Sequence, residues 1–462
     1  MFYPLRGKAG AGGAGLMRRA AAWRRAPRRT LASLLCALCL LCGGCGFDVA
    51  ANLRPPRGAG DQQLIAKALE SYLKSQPDVP AGAEYTLKYP LNGSQRAAFI
   101  VDDYNGDGQQ EAYAFYRVGT DITAKTRVNY LAQINGTWQS VADIEGFGYE
   151  IDRVFIAHTG SGTDTLCVGW QQAGTYNCEM LTYEMKDTLT TGDMGGYSAA
   201  AALDLLGTGY DQMLLFNAAH ETGGDMAYAR LYAWTADGAQ QRAEAPLDPR
   251  TQYYTEPKTS RLSSTVTGVY ADGVRTDGSA VTELVYWNGQ GLIAPFSTAD
   301  NGYDNVTTWR KSGLPSMDID GDGAIEWPLS SPMSGYTDTW WVSKWQALDF
   351  RSGLPMDKYT GVVNLGDGYC LRTADAYWDT HTVSYDAEAH ELTVVNADGA
   401  AVLKIDAQPL SAEAKEGYDT VATAGTMRYS AWYGPAGTAG PTGTEIFSLD
   451  KLRYMLMLLP AQ

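Results

Sequence analysis

Two nine-residue stretches carry side chains whose types and spacing suit the binding of a hard cation. In Asp318-Ile319-Asp320-Gly321-Asp322-Gly323-Ala324-Ile325-Glu326, carboxylates stand at positions 1, 3, 5 and 9, and glycines at 4 and 6. Four like charges folded into one turn repel one another, and a bound cation removes that cost. Calcium fits the donor set, because it takes about 6–8 oxygens and mixes carboxylates, backbone carbonyls and water. Asp318, Asp320, Asp322 and Glu326 would supply side chains, and Ala324 its carbonyl oxygen. An EF-hand would close with Glu at position 12, a place held here by Leu329.

The same grammar occurs earlier, with Asp103, Asn105, Asp107, Gln109 and Glu111 at positions 1, 3, 5, 7 and 9, Gly106 and Gly108 between them, and Ala114 at position 12. The glycines permit the positive φ angles of a tight loop. Two structural calcium sites are therefore expected, with a solvated acidic turn as the alternative, since Asp, Asn and Gly also favour turns.

No catalytic constellation accompanies these loops. The four histidines, His158, His220, His381 and His390, are not spaced as zinc pairs, and His390-Glu391 is followed by no second histidine. There is no nucleophile elbow and no phosphate-binding glycine loop before a helix. Glycoside chemistry needs two carboxylates at a set distance, and sequence alone selects no such pair. The expected role is binding or scaffolding rather than catalysis; the other class is a glycan-processing or glycan-binding protein that uses a central channel.

A surplus of aromatics follows the second loop: Tyr336, Trp340, Trp341 and Trp345. Adjacent Trp340 and Trp341 in a strand point to opposite faces. One can be core while the other stacks on a sugar or a partner, or both can be buried.

The elements that would position these residues are mostly strands. Asp61 can cap a helix with apolar Leu64, Ile65, Ala68, Leu69, Tyr72 and Leu73, ended by Gln76-Pro77. Ala97 to Val101 leads into the first loop and Ala112 to Arg117 leaves it; Asn135-Gly136 then marks a hairpin. Glycine-keeping, carboxylate-poor copies of the loop start at 157 and 204, and a fourth is expected near Val269 to Asp277, about residue 272, with Trp287-Asn288-Gly289 as its hairpin turn. Loop starts at 103, 157, 204 and 318 are 54, 47 and 114 apart, a repeat of roughly 54 residues with one step doubled. Repeats of several short strands predict a mainly β protein, a β-propeller of about five blades over residues 61–356, counting the N-terminal helix. Residues 357–462 are expected to form a small α+β domain, with a closing helix from Leu449 to Leu459. Two further blades without loops are the alternative.

The N-terminus sets the compartment. Residues 1–29 are basic, Leu31 to Leu41 is a short apolar run, and Cys42-Gly43-Gly44-Cys45 follows. The run is shorter than the ~20 residues of a membrane-spanning helix. It reads as a signal peptide over 1–44, with Cys45 as the lipidated residue and 45–60 as a linker from the outer face of a bacterial membrane. The 462 residues carry a net charge of -16, and loss of the eight basic residues of the first 44, which include no acid, takes it to -24. Nucleic acid is a poor partner for such a chain. Beyond Cys45, only Cys167, Cys178 and Cys370 follow; the first two flank an apparent hairpin and are either bridged or separately buried.

The loops and their degraded relatives resemble the FG-GAP or VCBS repeats of integrin-type propellers. The order Leu53-Arg54-Pro55-Pro56, Leu87-Lys88-Tyr89-Pro90, Asp103 to Glu111 with Ala112, Phe115 and Tyr116, then Asp318 to Glu326, is similar to a group of lipoproteins from anaerobic Gram-positive bacteria. The likeness runs from Cys45 to about Trp345. It implies calcium at the two full loops, a propeller fold and a surface location. It implies no activity.

Overall fold

The structure, a computed structural model, describes residues 59–77, 79, 84–119, 124–160, 162–172, 178–221, 224, 226–311, 314–331, 340–373, 377–434 and 447–459. The expected signal peptide, Cys45, most of the expected linker and Tyr336 lie outside these residues, as do the side chains of Trp340 and Trp341. Helix α1 spans Ala59–Ser75 and so starts before Asp61, whose charge falls in the first turn, where it suits the helix dipole.

From Leu64 onward the chain is mainly β, with six antiparallel sheets among the described residues. The first holds β1 (Tyr85–Leu87), β2 (Phe99–Asp102), β3 (Glu111–Val118), β4 (Arg127–Ile134) and β5 (Thr137–Glu145). Both β1 and β2 pair with β3, so they make one edge strand interrupted by residues 88–98. The second sheet is β6 (Glu150–Ala157), β7 (Thr165–Gln171), β8 (Cys178–Met185) and β9 (Leu189–Tyr197). The third is β10 (Ala199–Leu203), β11 (Gln212–Asn217), β12 (Ala227–Thr235) and β13 (Gly238–Leu247). In the fourth, β14 (Thr251–Tyr254) and β15 (Lys258–Arg261) share β16 (Thr267–Arg275) as partner, followed by β17 (Ala280–Trp287) and β18 (Leu292–Ile293). The fifth contains β19 (Trp327–Ser331), β20 (Trp340–Asp349), β21 (Leu354–Asn364) and β22 (Tyr369–Thr373). The sixth is β23 (His381–Asp386), β24 (Glu391–Asn396), β25 (Ala401–Pro409), β26 (Asp419–Ala424) and β27 (Met427–Tyr433). Helix α2 (Leu449–Met455) then leads into β28 (Leu456–Leu458), which returns to β22 in the fifth sheet.

In each of the first five sheets at least one strand, β3, β7, β11, β17 or β22, is buried on both faces, and the sheets stack in chain order. On β3, Tyr113 and Phe115 meet Val154, Leu166 and Trp170 of the second sheet, while Ala112, Ala114 and Tyr116 meet Ile65, Leu69 and Leu73 of α1. Cys167 and Met180 pack on Met213 and Leu215, and Leu214 and Phe216 on Val269 and Ala271. Tyr270 and Leu284 pack on Trp327 of the fifth sheet, whose Val362 and Leu371 lie under Leu392, Val394 and Leu403 of the sixth. The stack is curved. Face-to-face sheets lie ~10 Å apart, so alternate sheets in a straight stack would be about 20 Å apart. Yet Arg153 on β6 reaches Glu256, between β14 and β15, at 2.7 Å. The leading strands of the second and fourth sheets thus converge on a common inner edge, a propeller-like arrangement. Helix α1 occupies the outer face of the first sheet, and no hydrophobic cluster among the described residues joins that sheet to the fifth.

Several expectations change. The expected boundary at 356 falls inside β21, and Tyr369–Thr373 belongs to the fifth sheet; the sixth sheet and α2 share one apolar cluster with that sheet, and β28 pairs back to it. The closing helix ends at Met455 and continues as a strand. Val269 to Asp277 is not a fourth loop: it is β16 and the start of its hairpin turn, and the Asp272 carboxylate is used by Arg310 at 2.8 Å and Lys258 at 3.0 Å. The turn from β15 to β16 lies at 262–266 instead. Cys167 pairs with Thr182 and Cys178 with Gln171, so along the β7–β8 ladder the two cysteines are about 13 Å out of register. No disulfide joins them, since a bridge needs Cα atoms within about 7 Å. The hairpin at Asn135-Gly136 forms as expected, with both residues at positive φ, 54° and 74°.

The role of α1 is testable in solution. Leu69→Ala removes a fully buried side chain from the cap of the first sheet. It should cost about 2–5 kcal/mol in urea unfolding; a loss below about 0.5 kcal/mol, the usual range of a surface change, would mean that α1 does not cap the sheet.

Candidate metal centre

The two acidic loops fold on one template. Each joins an edge segment to the next strand, where Asp102 faces Glu111 and Met317 bridges Glu326. The position-1 carboxylate accepts the N–H groups of positions 5 and 6: Asp103 from Asp107 at 3.1 Å and Gly108 at 2.9 Å, and Asp318 from Asp322 at 3.1 Å and Gly323 at 2.9 Å. The position-9 glutamate accepts the N–H of position 2, Tyr104 at 3.0 Å or Ile319 at 2.9 Å. Gly321 and Gly323 sit at φ of 78° and 86°, values closed to most side chains, and Gly106 and Gly108 match them at 71° and 83°.

What differs is how the remaining acceptors are matched. In the second loop, ligand oxygens of Asp318, Asp320 and Glu326 all lie within 4.8 Å of one another. Glu326 is fully buried, and its Oε1 has no hydrogen-bond partner among the described residues. Burial pushes its carboxyl up to about 7, with Asp320 and Asp322 adding to the rise and the Ile319 N–H and Lys358 opposing it. An orphaned, buried carboxylate oxygen facing two more carboxylates fits a hard divalent cation. Lys358 and Tyr359 of β21 hold the open side. The ammonium lies 2.7 Å from Asp322 and 3.9 Å from Asp320, and the Tyr359 hydroxyl donates to Asp320 at 3.0 Å. Sequence spacing gave no sign of these two residues, which enter from more than thirty positions downstream.

The first loop is closed from within. Asn105 Nδ2 donates to Asp107 at 3.2 Å and to Glu111 at 3.3 Å, so both oxygens of Glu111 are partnered. Burial raises the Glu111 carboxyl, and Asp107 and Asp103 add to it. Gln109 donates its N–H to Asp107, as Ala324 does to Asp322. Among the described residues, only the second loop brings three acidic groups into ligating range.

The degraded loops keep the template and replace the cation. Asp204 accepts from Thr208 N at 2.9 Å and Gly209 N at 2.7 Å, as position 1 does elsewhere. Gln212 stands at position 9; its Nε2 donates to the Tyr210 carbonyl at 2.6 Å and the Thr208 hydroxyl at 3.4 Å, the position-7 and position-5 groups of the loop. In the loop at 157, the Thr159 hydroxyl donates to the Thr163 carbonyl at 3.0 Å. Successive loops are also tied together: the position-2 carbonyl accepts the position-8 N–H of the next loop, Tyr104 from Asp164 at 2.7 Å and His158 from Asp211 at 2.8 Å. At Ile319 the donor is Arg372 at 2.6 Å.

Trp345, expected to face a ligand, is fully buried against Leu314, Ile319, Val363 and Cys370. It forms the floor under the loop. The strand β20 carries it there because every second residue turns inward.

No family model matches the chain, and no curated protein matches it. Solved structures with some likeness include the β-propeller domain of the Trilobed protease from Pyrococcus furiosus, at 9% identity and a TM-score of 0.26, covering 66% of this chain and 92% of that one. Another is the exo-beta-1,3-galactanase from Phanerochaete chrysosporium with beta-1,3-galactotriose, at 8% identity and a TM-score of 0.24, covering 73% and 82%. At such scores neither carries an argument.

The raised Glu326 carboxyl gives the metal site a pH signature. Between about 4.5 and about 7 the folded chain keeps a proton that the unfolded chain has lost, so without metal the fold weakens as pH rises through that window and then levels off. A cation takes the proton's place. Calcium affinity by calorimetry should therefore be weaker at pH 6 than at pH 8, and Glu326→Gln should both lower the affinity and flatten this dependence. Equal affinities at the two pH values would contradict the assignment.

Proposed function

We propose that this chain is a lipid-anchored binding or scaffolding module on the outer face of a bacterial cell membrane, with a propeller-like domain stabilised by calcium. The observation that carries the metal reading is the orphaned, buried Oε1 of Glu326 beside Asp318 and Asp320. Asp322 would complete the set on displacement of Lys358, and Ala324 would add its carbonyl. The loop at Asp103, Asn105, Asp107, Gln109 and Glu111 shares the template and would hold a second calcium if the Asn105 amide turned its oxygen inward.

A structural rather than catalytic cation suits loops that tie strands together and leave no nucleophile beside the ion. The resemblance to FG-GAP or VCBS repeat lipoproteins supports the same reading, as does the short apolar run before Cys45. No helix among the described residues is long and apolar enough to cross a membrane; in this reading the lipid on Cys45 is the anchor. A second reading, a protein that binds glycans near the convergent inner edge, is favoured by a polar cleft there.

Melting the chain in excess EDTA and in millimolar calcium tests the metal. Binding to the folded state alone at a hundred times the dissociation constant stabilises by about 2.7 kcal/mol. A clear upward shift is expected, and Asp318→Ala should lose most of it; identical melts would sink the calcium assignment. For the anchor, Cys45→Ser should move the protein from the membrane fraction to the medium, and its retention on the membrane would refute lipidation there.

A further inference from the structure

Where the leading strands converge, a cleft of about 600 Å³ opens between the first four sheets. Its volume lies in the range of small-molecule sites. Asn92 comes from the segment after β1, Asp152 and Arg153 from β6, Ser198 from the start of the third sheet, and Gln252 and Tyr253 from β14.

Its floor is built and rigid. Asp152 accepts from Asn92 Nδ2 at 2.6 Å, from Arg153 Nε at 2.7 Å and from the Tyr197 hydroxyl at 2.5 Å. Gly169 makes room for that hydroxyl, since a Cβ there would lie 1.8 Å from it. Arg153 is 6% exposed, and its Nη1 reaches Glu256 at 2.7 Å.

Charge decides the ligand class. One guanidinium faces two carboxylates, Asp152 and Glu256, so the floor carries a net negative charge and disfavours an anion. What its lining offers is the buried Asp152–Arg153 pair, amides at Asn92 and Gln252, and the half-exposed ring of Tyr253 on the rim. A sugar matches this set: each hydroxyl both donates and accepts, and the C–H face of the ring stacks on an aromatic. Asp152, the carboxylate among the described lining residues, is engaged by Asn92, Arg153 and Tyr197, an arrangement that suits orienting a ligand better than protonating a glycosidic oxygen.

We propose that this cleft binds a neutral mono- or disaccharide without hydrolysing it. The proposal deepens the glycan-binding reading above and is independent of the metal loops. Saturation-transfer NMR on the full chain in a sugar-free detergent, with cellobiose, lactose, mannobiose and N,N'-diacetylchitobiose as probes and inorganic phosphate followed by its own line width, tests it. At least one saccharide should show transfer, and Tyr253→Ala and Gln252→Ala should each weaken it about tenfold, the scale of one lost stack or hydrogen bond. Both variants should keep the cooperative melt of the unsubstituted chain, which shows that they fold. No transfer from any of the four sugars, transfer that survives both substitutions, release of monosaccharide, or binding of phosphate alone would each overturn the proposal. A protein that binds sugar but ignores calcium would refute only the metal reading, and the converse would refute only this one.

Discussion

A four-stranded sheet that is apolar on both faces has to be covered on both sides, and the architecture follows from meeting that requirement. On β3 the residues Ala112, Ala114 and Tyr116 face one way and Tyr113 and Phe115 the other, and all five are buried. The same division holds on β11, where Met213 and Leu215 face the second sheet and Leu214 and Phe216 the fourth. Stacking in chain order covers each inner face. The two ends need something else: α1 covers the first sheet, and the sixth sheet with α2 covers the fifth.

Stacking in one order brings equivalent loops side by side, and this accounts for the backbone bonds from Asp164 to Tyr104 and from Asp211 to His158. One loop template then meets several local chemistries. Its inward acceptors have to be matched, by an amide at Asn105 or Gln212, by a hydroxyl at Thr159, or by an ammonium at Lys358. Among the described residues, only at Glu326 does a buried carboxylate oxygen stay unmatched, so the demand for a cation is strongest there.

The segment that delivers this loop is held by polar contacts as well as by the burial of Leu314. Arg310 is buried with Asp272, which also accepts from Ser316 N at 2.9 Å, two residues before Asp318. Burial works against the charge on Asp272, yet Arg310 and Lys258 outweigh it and hold the carboxyl at about 2. A buried pair of this kind adds little net stability against an apolar substitute, but breaking it leaves an unpaired charge, which fixes the path of an otherwise irregular chain.

Local chemistry made much of this legible. Aspartates and glycines at fixed offsets dictate the loop turns wherever they occur, and Asn-Gly dictates its hairpin, because the causes lie within a few residues of the effect. The repeat of strand, loop and strand followed from the same signals at 103, 157 and 204, and failed near 272, where Asp272 looked like a loop residue and is a buried ion-pair partner. The burial of Trp345, the return of β28 to the fifth sheet, the pairing of Cys167 with Thr182 instead of Cys178, and the approach of Lys358 to Asp322 were decided only in three dimensions. So was the cleft, which needs Asn92, Arg153, Ser198 and Tyr253 from four different sheets. These are contacts between residues far apart in the chain, chosen by which apolar faces cover one another and which charges are buried together. The amino-acid order determines turns and periodicity directly, and the partners emerge only once the faces are paired.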